Sequence, residues 1–202
     1  MKLILASNNE KKLREMREIL SELGITVLSQ REAGLNLEVE ETGTTFAENA
    51  LLKAQGACDA AGMAAVADDS GLVVDALDGA PGVYSARYGG EGLNDRERFE
   101  LLLKNMEDRE QRSCRFVSSI ACVFPGGAVI RAEGTCEGQL LYAPKGENGF
   151  GYDPIFYVPE QGCSMAELSP AVKNRLSHRG KALAQFVCNL RQYLKEHPVC
   201  EE

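Results

Sequence analysis

The sequence has only two histidines, His178 and His197, and this excludes a histidine-rich zinc site. Its cysteines are odd in number, and no two of them have C-x-x-C spacing, so neither a disulfide framework nor a redox motif is indicated. We expect free, mostly buried thiols in a reducing compartment. The seven cysteines are Cys58, Cys114, Cys122, Cys136, Cys163, Cys188 and Cys200.

Long apolar runs are also missing. The run at residues 1–7 is too short for a signal peptide, and no later stretch is long enough to cross a bilayer. The formal net charge is −8, which disfavours general nucleic-acid binding because neutralisation of phosphates supplies most of that affinity. We therefore expect a cytoplasmic protein without membrane or nucleic-acid partners. A small anionic ligand remains possible where basic residues converge.

Helical and strand patterns alternate along the first half of the chain, and a long hairpin pattern follows. The predicted strands span 2–6, 25–28, 63–67, 72–77, 115–124, 128–140 and 155–158. Five helices are predicted. The first ends near residue 23, the second and third span about 45–61 and 94–106, and the last two begin at 169–170 and at 177. The order of elements predicts an α/β protein with a mixed β-sheet.

The turn between the first strand and helix is a candidate phosphate site. A helix N-terminus offers backbone N–H groups and the positive end of a dipole, both of which attract anions. The turn contains no glycine, so it is neither a Walker A loop nor a dinucleotide fingerprint. The alternative is that Ser7 or Asn8 only caps the helix. The segment is Ser7, Asn8, Asn9, Glu10, Lys11 and Lys12.

Adjacent carboxylates between two apolar strands are a candidate magnesium site. Asp68 and Asp69 precede Ser70 and Gly71, and we expect a polar break between strands there. Burial of two carboxylates is costly without a cation or hydrogen-bond donors, and Mg²⁺ favours oxygen ligands. One aspartate could also accept a proton from water. An ordinary Asp-Asp-Ser-Gly turn is the alternative.

An acidic segment and a helical lysine could complete such a site. Glu38, Glu40 or Glu41 could provide a second carboxylate, or the segment could be a solvated acidic loop. Lys53 lies two helical turns after Phe46, and its side chain points either toward phosphates or into solvent.

Two later segments could bind a nucleobase. In the loop Phe150, Gly151, Tyr152 and Asp153, the phenyl ring could stack on a base, and Asp153 or backbone groups could bind its edge. Lys173 precedes Ser177, His178 and Arg179, which place two cations at the start of the last helix. Cations are unfavourable at a helix N-terminus unless an anion or polar ligand lies near.

Six collinear motifs resemble the inosine/xanthosine triphosphate pyrophosphatase family, also called Ham1-like. A [ST]-x-N-x-x-K turn is matched by Ser7, Asn9 and Lys12. The other motifs are Glu-Glu-x-Gly-x-Thr-Phe-x-Glu-Asn-Ala at 40–50, Ala-Asp-Asp-Ser-Gly-Leu at 67–72, and the stretches 79–88, 149–154 and 177–180. The resemblance covers nearly the whole chain.

The resemblance implies hydrolysis of ITP, dITP and XTP to the monophosphate and pyrophosphate by a Mg²⁺-dependent homodimer. It implies one domain over residues 1–202, with an elongated mixed sheet and two lobes around a central active-site cleft. Asp69 would be the general base and a metal ligand, together with Asp68 and Glu41. The Ser7–Lys12 turn, Lys53 and Ser70 would bind substrate, and the base pocket would comprise Phe150, Gly151, Tyr152, Asp153, Lys173, His178 and Arg179.

Two rival functions remain at this point. Maf-like nucleotide pyrophosphatases act on other bases with a related architecture, but the 149–154 and 177–180 motifs argue against them. A non-catalytic nucleotide sensor could share the fold, although Asp68, Asp69 and Glu41 favour an enzyme.

Overall fold

A computed structural model of the chain describes residues 1–197, and Cys200 lies outside them. Short 3-10 helices at Asp75–Leu77, Gly82–Arg87, Asp153–Ile155 and Met165–Glu167 join the main elements. The strands are β1 (Lys2–Leu5), β2 (Thr26–Ser29), β3 (Ala65–Val74), β4 (Ser113–Val123), β5 (Val129–Leu140), β6 (Phe156–Val158) and β7 (Cys163–Ser164). The helices are α1 (Glu10–Ser21), α2 (Phe46–Ala61), α3 (Asp95–Asn105), α4 (Pro170–Leu176) and α5 (His178–Glu196).

The sheet is mixed and has the strand order β2-β1-β3-β4-β5-β6-β7. Strand β1 pairs in parallel with β2 and β3, while β6 pairs antiparallel with β5 and β7. The chain forms two compact units. The first comprises Met1–Asp69, Ser119–Glu133 and the chain from Ala182 onward, and the second comprises Ser70–Ser118 and Gly134–Lys181. The predicted α/β class with a mixed sheet is confirmed.

The helix boundaries follow their capping residues. Thr45 and Glu48 form a capping box at the start of α2, and Asn94 and Glu97 form another at α3. Each box satisfies backbone N–H groups that have no partner inside the helix. The caps explain why these two helices begin where the sequence predicts.

In the first unit, alternate residues of the central strands face different helices. Leu3 and Leu5 of β1 lie in a core cluster with the apolar faces of α1 and α5, and Val66 of β3 belongs to it. Ile4 lies in a separate cluster with the small residues of α2, together with Ala65 and Ala67. Successive strand side chains point to opposite faces. Helices α1 and α5 therefore cover one face of these strands, and α2 covers the other.

The predicted polar break at 68–71 is wrong. Strand β3 runs without interruption through Asp68, Asp69, Ser70 and Gly71, so the two aspartates lie within a strand and not between two strands. Gly71 marks a close approach, because a Cβ there would lie 2.3 Å from Ser85 Oγ. Ser85 Oγ also accepts a hydrogen bond from the Leu72 N–H. The glycine therefore makes room for a neighbouring side chain and does not form a turn.

The six cysteines within residues 1–197 are free thiols, as predicted. Burial raises the pKa of the Cys114 thiol to about 12, and it raises the pKa of the Cys122 thiol as well. Cys188 is exposed. No helix in this part of the chain has the length and apolar character needed to span a bilayer.

Iodoacetamide at pH 8 should alkylate Cys188 well before Cys114 and Cys122, because alkylation requires an accessible thiolate. Peptide mapping by mass spectrometry over a time course measures the three rates, and a urea-unfolded sample provides the control in which they converge. Equal rates in the folded protein would contradict the buried placement of Cys114 and Cys122.

Candidate active site

The two adjacent aspartates of β3 face different helices. Asp68 has the same orientation as Val66 and lies on the α1 side, where the Lys12 ammonium is 2.9 Å from its Oδ2. The Asp68 side chain is only 3% exposed. Asp69 has the orientation of Ala65 and Ala67 and lies on the α2 side. The sheet thus separates two carboxylates that are neighbours in the sequence.

On the α2 side, one ammonium group joins two carboxylates. Lys53 Nζ lies 2.9 Å from Asp69 Oδ1 and 2.9 Å from Glu41 Oε1. Of the three glutamates that the sequence left open, the structure brings Glu41 to this group, while Glu38 and Glu40 are exposed. The Lys53 side chain points to these carboxylates and not into solvent. Helix α2 therefore assembles Glu41 and Asp69 around one cation.

Burial and charge shift the titration of this group. Desolvation by burial raises the pKa of the Asp69 carboxyl, and the Glu41 carboxylate raises it further, against the opposing effect of Lys53 and Lys12. For Lys53, burial acts to lower the pKa, but the Asp69 and Glu41 carboxylates outweigh it and raise it. Asp69 is consequently a stronger base than an exposed aspartate, and Lys53 remains an ammonium ion.

The Asp69 carboxylate has capacity for one more cationic partner. Its Oδ2 is buried and has no hydrogen-bond partner within residues 1–197. A buried polar atom without a partner costs about 1–3 kcal/mol. In the same described range, no three His, Cys, Asp or Glu side chains cluster as a metal site. Mg²⁺ commonly binds through one or two carboxylates, with waters and phosphate oxygens completing its shell. Glu41 and Asp69 fit that role.

At the predicted phosphate turn, the residue that caps α1 is Asn9, and not Ser7 or Asn8. Asn9 Oδ1 accepts hydrogen bonds from the N–H groups of Lys11 at 2.9 Å and Lys12 at 3.2 Å. Ser7 Oγ accepts the Asn9 N–H, and Asn8 Oδ1 accepts from Gln30 Nε2 at 3.4 Å. Two of the helix's leading N–H groups are thus already bonded. Glu10 and Lys11 are exposed in the first turn of α1, and Asn8 is exposed before the helix begins.

In the second unit, the segment from Phe150 to Asp153 is held by hydrogen bonds to its backbone. Asp153 Oδ2 accepts the Phe150 N–H at 2.8 Å, and the Lys173 ammonium binds the same oxygen. Asp95 Oδ2 accepts the Gly151 N–H at 2.8 Å. The sequence predicted that the Asp153 carboxylate could bind the edge of a base. In the structure this carboxylate is bonded to Lys173.

This arrangement leaves Phe150 as an aromatic surface. Its side chain is 56% exposed, and Lys173 Nζ lies 4.7 Å from the ring centroid. Tyr152 is buried, burial raises the pKa of its phenol, and its OH donates to the Ser85 carbonyl at 2.8 Å. Of the predicted base-pocket residues in this segment, Phe150 is exposed to solvent, whereas Tyr152 is buried and anchors the loop through its hydrogen bond to Ser85.

His178 and Arg179 occupy the first turn of α5, as predicted, and both are half-buried. The His178 imidazole stacks on Phe116 with ring centroids 4.8 Å apart and an angle of 20° between the planes. Ser177 Oγ accepts the Gly180 N–H at 3.1 Å, and this bond fixes the start of the helix. Ser70 is half-buried in β3 directly after Asp69.

Several supporting residues were not found from the sequence. Asp95 holds Gly151, Ser85 binds Tyr152, Phe116 stacks on His178, and Asn49 binds Gly43. Asp95 directly follows a predicted cap, Ser85 lies inside the matched stretch 79–88, and Asn49 lies inside the matched stretch 40–50. These positions in the sequence could have pointed to the three residues, but the sequence did not indicate which groups they contact.

Comparison with known proteins places these residues in a family context. The model of the Ham1 family matches residues 3–189. A dITP/XTP pyrophosphatase of Vibrio vulnificus is 49% identical over 195 residues, which cover 95% of this chain and 97% of that protein. One of Desulforamulus reducens is 51% identical, with coverage of 91% and 92%.

Solved structures are similar over almost the same span. A Ham1 protein of Coxiella burnetii superposes with a TM-score of 0.90 at 44% identity, covering 97% of this chain and 99% of that one. The Staphylococcus aureus Ham1 protein gives a TM-score of 0.89 at 40% identity and the same coverage. With a family model over most of its length and relatives near half identity, the chain belongs to the Ham1 family.

Proposed function

We propose that this protein hydrolyses dITP, XTP and ITP to the nucleoside monophosphate and pyrophosphate. The observation that carries the proposal is the half-buried Asp69 carboxyl group, whose pKa is raised. Lys53 binds its Oδ1, and its Oδ2 has no hydrogen-bond partner within residues 1–197. This environment suits a group that takes a proton from water beside a polyanion. Membership of the Ham1 family, and relatives that are named dITP/XTP pyrophosphatases, support the substrate class.

We further propose Mg²⁺ as the cofactor, held by Glu41 and Asp69. Asp68 was also predicted as a ligand, but it lies on the α1 side of β3, opposite the face that carries Asp69 and Glu41, so it ranks below the other two. When bound, the ion would neutralise phosphate charge and lower the pKa of bound water. Two lysines accompany three carboxylates here, so the group has a formal charge of −1 that favours a cation.

In the proposed reaction, the oxygen of a water molecule forms a bond to the α-phosphorus and its proton passes to Asp69. The bond from the α-phosphorus to the bridging oxygen breaks, and pyrophosphate leaves with the electron pair. Lys53 and Lys12 stabilise the negative charge that develops on the phosphate oxygens. The side chains of Ser7 and Asn9 and the exposed part of the turn, Asn8, Glu10 and Lys11, bind the triphosphate. Ser70 contacts the substrate next to Asp69.

The base-recognition proposal assigns different tasks to residues of the second unit. Phe150 stacks on the purine, and Asp153, Lys173, Gly151 and Tyr152 keep its loop in place. Arg179 and His178 donate hydrogen bonds to the 6-oxo group of hypoxanthine or xanthine. Adenine has a 6-amino donor at that position and would leave these donors unpaired.

A panel of ITP, XTP, GTP and ATP with saturating Mg²⁺ tests this function. We expect turnover of ITP and XTP with release of pyrophosphate, and a kcat/KM for ATP lower by roughly 10²-fold or more, because the donors assigned to the 6-oxo group would lose their acceptor. Equal rates for all four nucleotides would refute the base assignment. Nucleotide binding without pyrophosphate release would favour the sensor.

We also propose one domain built from both units, a homodimer and a cytoplasmic location. The six free thiols support a reducing compartment. Light scattering coupled to gel filtration measures the assembly, and a monomeric mass at micromolar concentration would contradict the dimer.

A further inference from the structure

Helix α2 contains a fully buried amide that binds the acidic segment. Asn49 is 0% exposed, and its Oδ1 accepts the Gly43 N–H at 2.8 Å. Gly43 follows Glu41 by two residues. Asn49 and Lys53 are four residues apart on α2, so they lie on one face of the helix. The same helical face therefore holds the segment at Gly43 and contacts its carboxylate at Glu41.

Gly43 lies directly on the helix. A Cβ at Gly43 would be 2.6 Å from Asn49 Oδ1 and 2.7 Å from Glu48 Cβ, distances that no side chain can occupy without movement. Only glycine permits this approach, and φ at Gly43 is not in the left-handed region. The close contact fixes the distance between the acidic segment and α2.

A second group of bonds fastens the residues that follow. Glu48 Oε2 accepts from the Thr44 N–H at 2.7 Å, the Thr44 hydroxyl at 2.9 Å and the Thr45 N–H at 3.1 Å. Glu48 is exposed, whereas Asn49 is buried. Water can replace a lost bond to Glu48 but cannot easily reach the Asn49 bond. The buried amide is therefore the stronger determinant of where the segment lies.

The bond to Gly43 leaves part of the Asn49 amide without a hydrogen bond. Its Nδ2 is buried and has no hydrogen-bond partner within residues 1–197. An apolar residue at this position would avoid that unfavourable donor but would lose the acceptor for Gly43. The bond to Gly43 thus accounts for an asparagine among the buried residues of α2, which are otherwise apolar, such as Ala50 and Ala54.

We propose that Asn49 is a positioning residue that places Glu41 for binding of the divalent cation. Asn49 acts through Gly43 and touches neither Glu41 nor the substrate in this role. The inference rests on the proposed function, because it takes Glu41 as a ligand of the ion that the reaction requires. It adds a buried anchor, remote from the reacting atoms, on which the metal affinity depends.

Three variants and a matched control test the proposal. Asn49→Ala removes the acceptor, Gly43→Ala displaces the same bond from its other side, and Asn49→Asp keeps an acceptor oxygen. Gln55→Ala removes an amide on the same helix whose partner is Asp59, outside the site. Mn²⁺ binding to the full chain is measured by electron paramagnetic resonance, alongside the Mg²⁺ dependence of ITP turnover and the melting temperature.

We expect Asn49→Ala and Gly43→Ala each to weaken Mn²⁺ binding about tenfold, equivalent to ~1.4 kcal/mol. Asn49→Asp should bind more tightly than Asn49→Ala, and Gln55→Ala should match the wild type. The double variant should be little worse than either single variant, because both changes break one bond. A role in stability alone would lower the melting temperature and leave the Mn²⁺ affinity unchanged.

Wild-type Mn²⁺ affinity in both Asn49→Ala and Gly43→Ala would overturn the proposal, and so would additive losses in the double variant. If one variant does not fold, the other decides the question. A wild-type protein that binds Mn²⁺ but does not hydrolyse ITP would refute the proposed function and leave the Asn49 test valid. A wild type that binds no Mn²⁺ would overturn the positioning role itself.

Discussion

Asp69→Asn is expected to lower kcat for ITP by roughly 10²–10⁴-fold, because it removes the group that accepts the proton from water. The amide keeps the size of the side chain and retains an oxygen that can accept from Lys53. The fold should therefore persist, and circular dichroism should be unchanged. Steady-state kinetics with saturating Mg²⁺ measures the loss. Near-normal turnover would remove Asp69 from the role of general base.

Asp59→Asn provides the control for this variant. Asp59 is exposed near the end of α2, so its substitution should leave kcat unaltered.

The pH dependence of stability gives a second test of Asp69. The folded-state pKa of Asp69 lies above 3.8, its ordinary value. A group with a raised pKa favours folding below its ordinary value, and this benefit is lost as pH rises through the folded pKa. The metal-free wild type should therefore lose stability relative to Asp69→Asn between acidic and neutral pH.

Lys173→Met is expected to lower the free energy of unfolding by about 2–4 kcal/mol, because it leaves the Asp153 carboxylate buried with its charge uncompensated. The Asp153 side chain is only 6% exposed, and the bond that it keeps within residues 1–197 is the one from the Phe150 N–H. Urea titration followed by circular dichroism measures the difference. The change should also raise the KM for ITP, since Phe150 loses both the anchored loop and the ammonium near its ring.

Lys181→Met is the matched control, since the Lys181 ammonium donates to the backbone carbonyl of Thr135 at an exposed site. It should change stability by less than about 0.5 kcal/mol, as is usual for surface substitutions. A similarly small effect for Lys173→Met would contradict the buried ion pair.

The helices were predictable because their ends are encoded locally. Thr45 with Glu48, Asn94 with Glu97, and Ser169 before Pro170 each define a start that the structure confirms. The error at residues 68–71 has the opposite origin. An Asp-Asp-Ser-Gly sequence favours a turn, but tertiary contacts override that tendency, because Lys12 and Lys53 compensate the carboxylates and Ser85 occupies the space beside Gly71.

For the candidate site, the residues were predictable but their partners were not. The sequence indicated Asp69, Glu41 and Lys53. It left open which of the three glutamates joins the site and in which direction the Lys53 side chain points. Those choices depend on how α2 packs on β3, a contact that spans 16 residues for Lys53 and Asp69. The pairing of Asp153 with Lys173, 20 residues later, was equally invisible in a linear pattern.

The alternation of Asp68 and Asp69 across β3 makes the spacing of this strand unusually intolerant of change. Deleting a single residue between Val66 and Asp68 would rotate every following side chain to the other side. Asp68 would then face Lys53 and Asp69 would face Lys12, the reverse of the present pairing. Leu72 would also leave its core cluster. Length variation among relatives should consequently be confined to the loops that flank this strand, and engineered insertions should be made there as well.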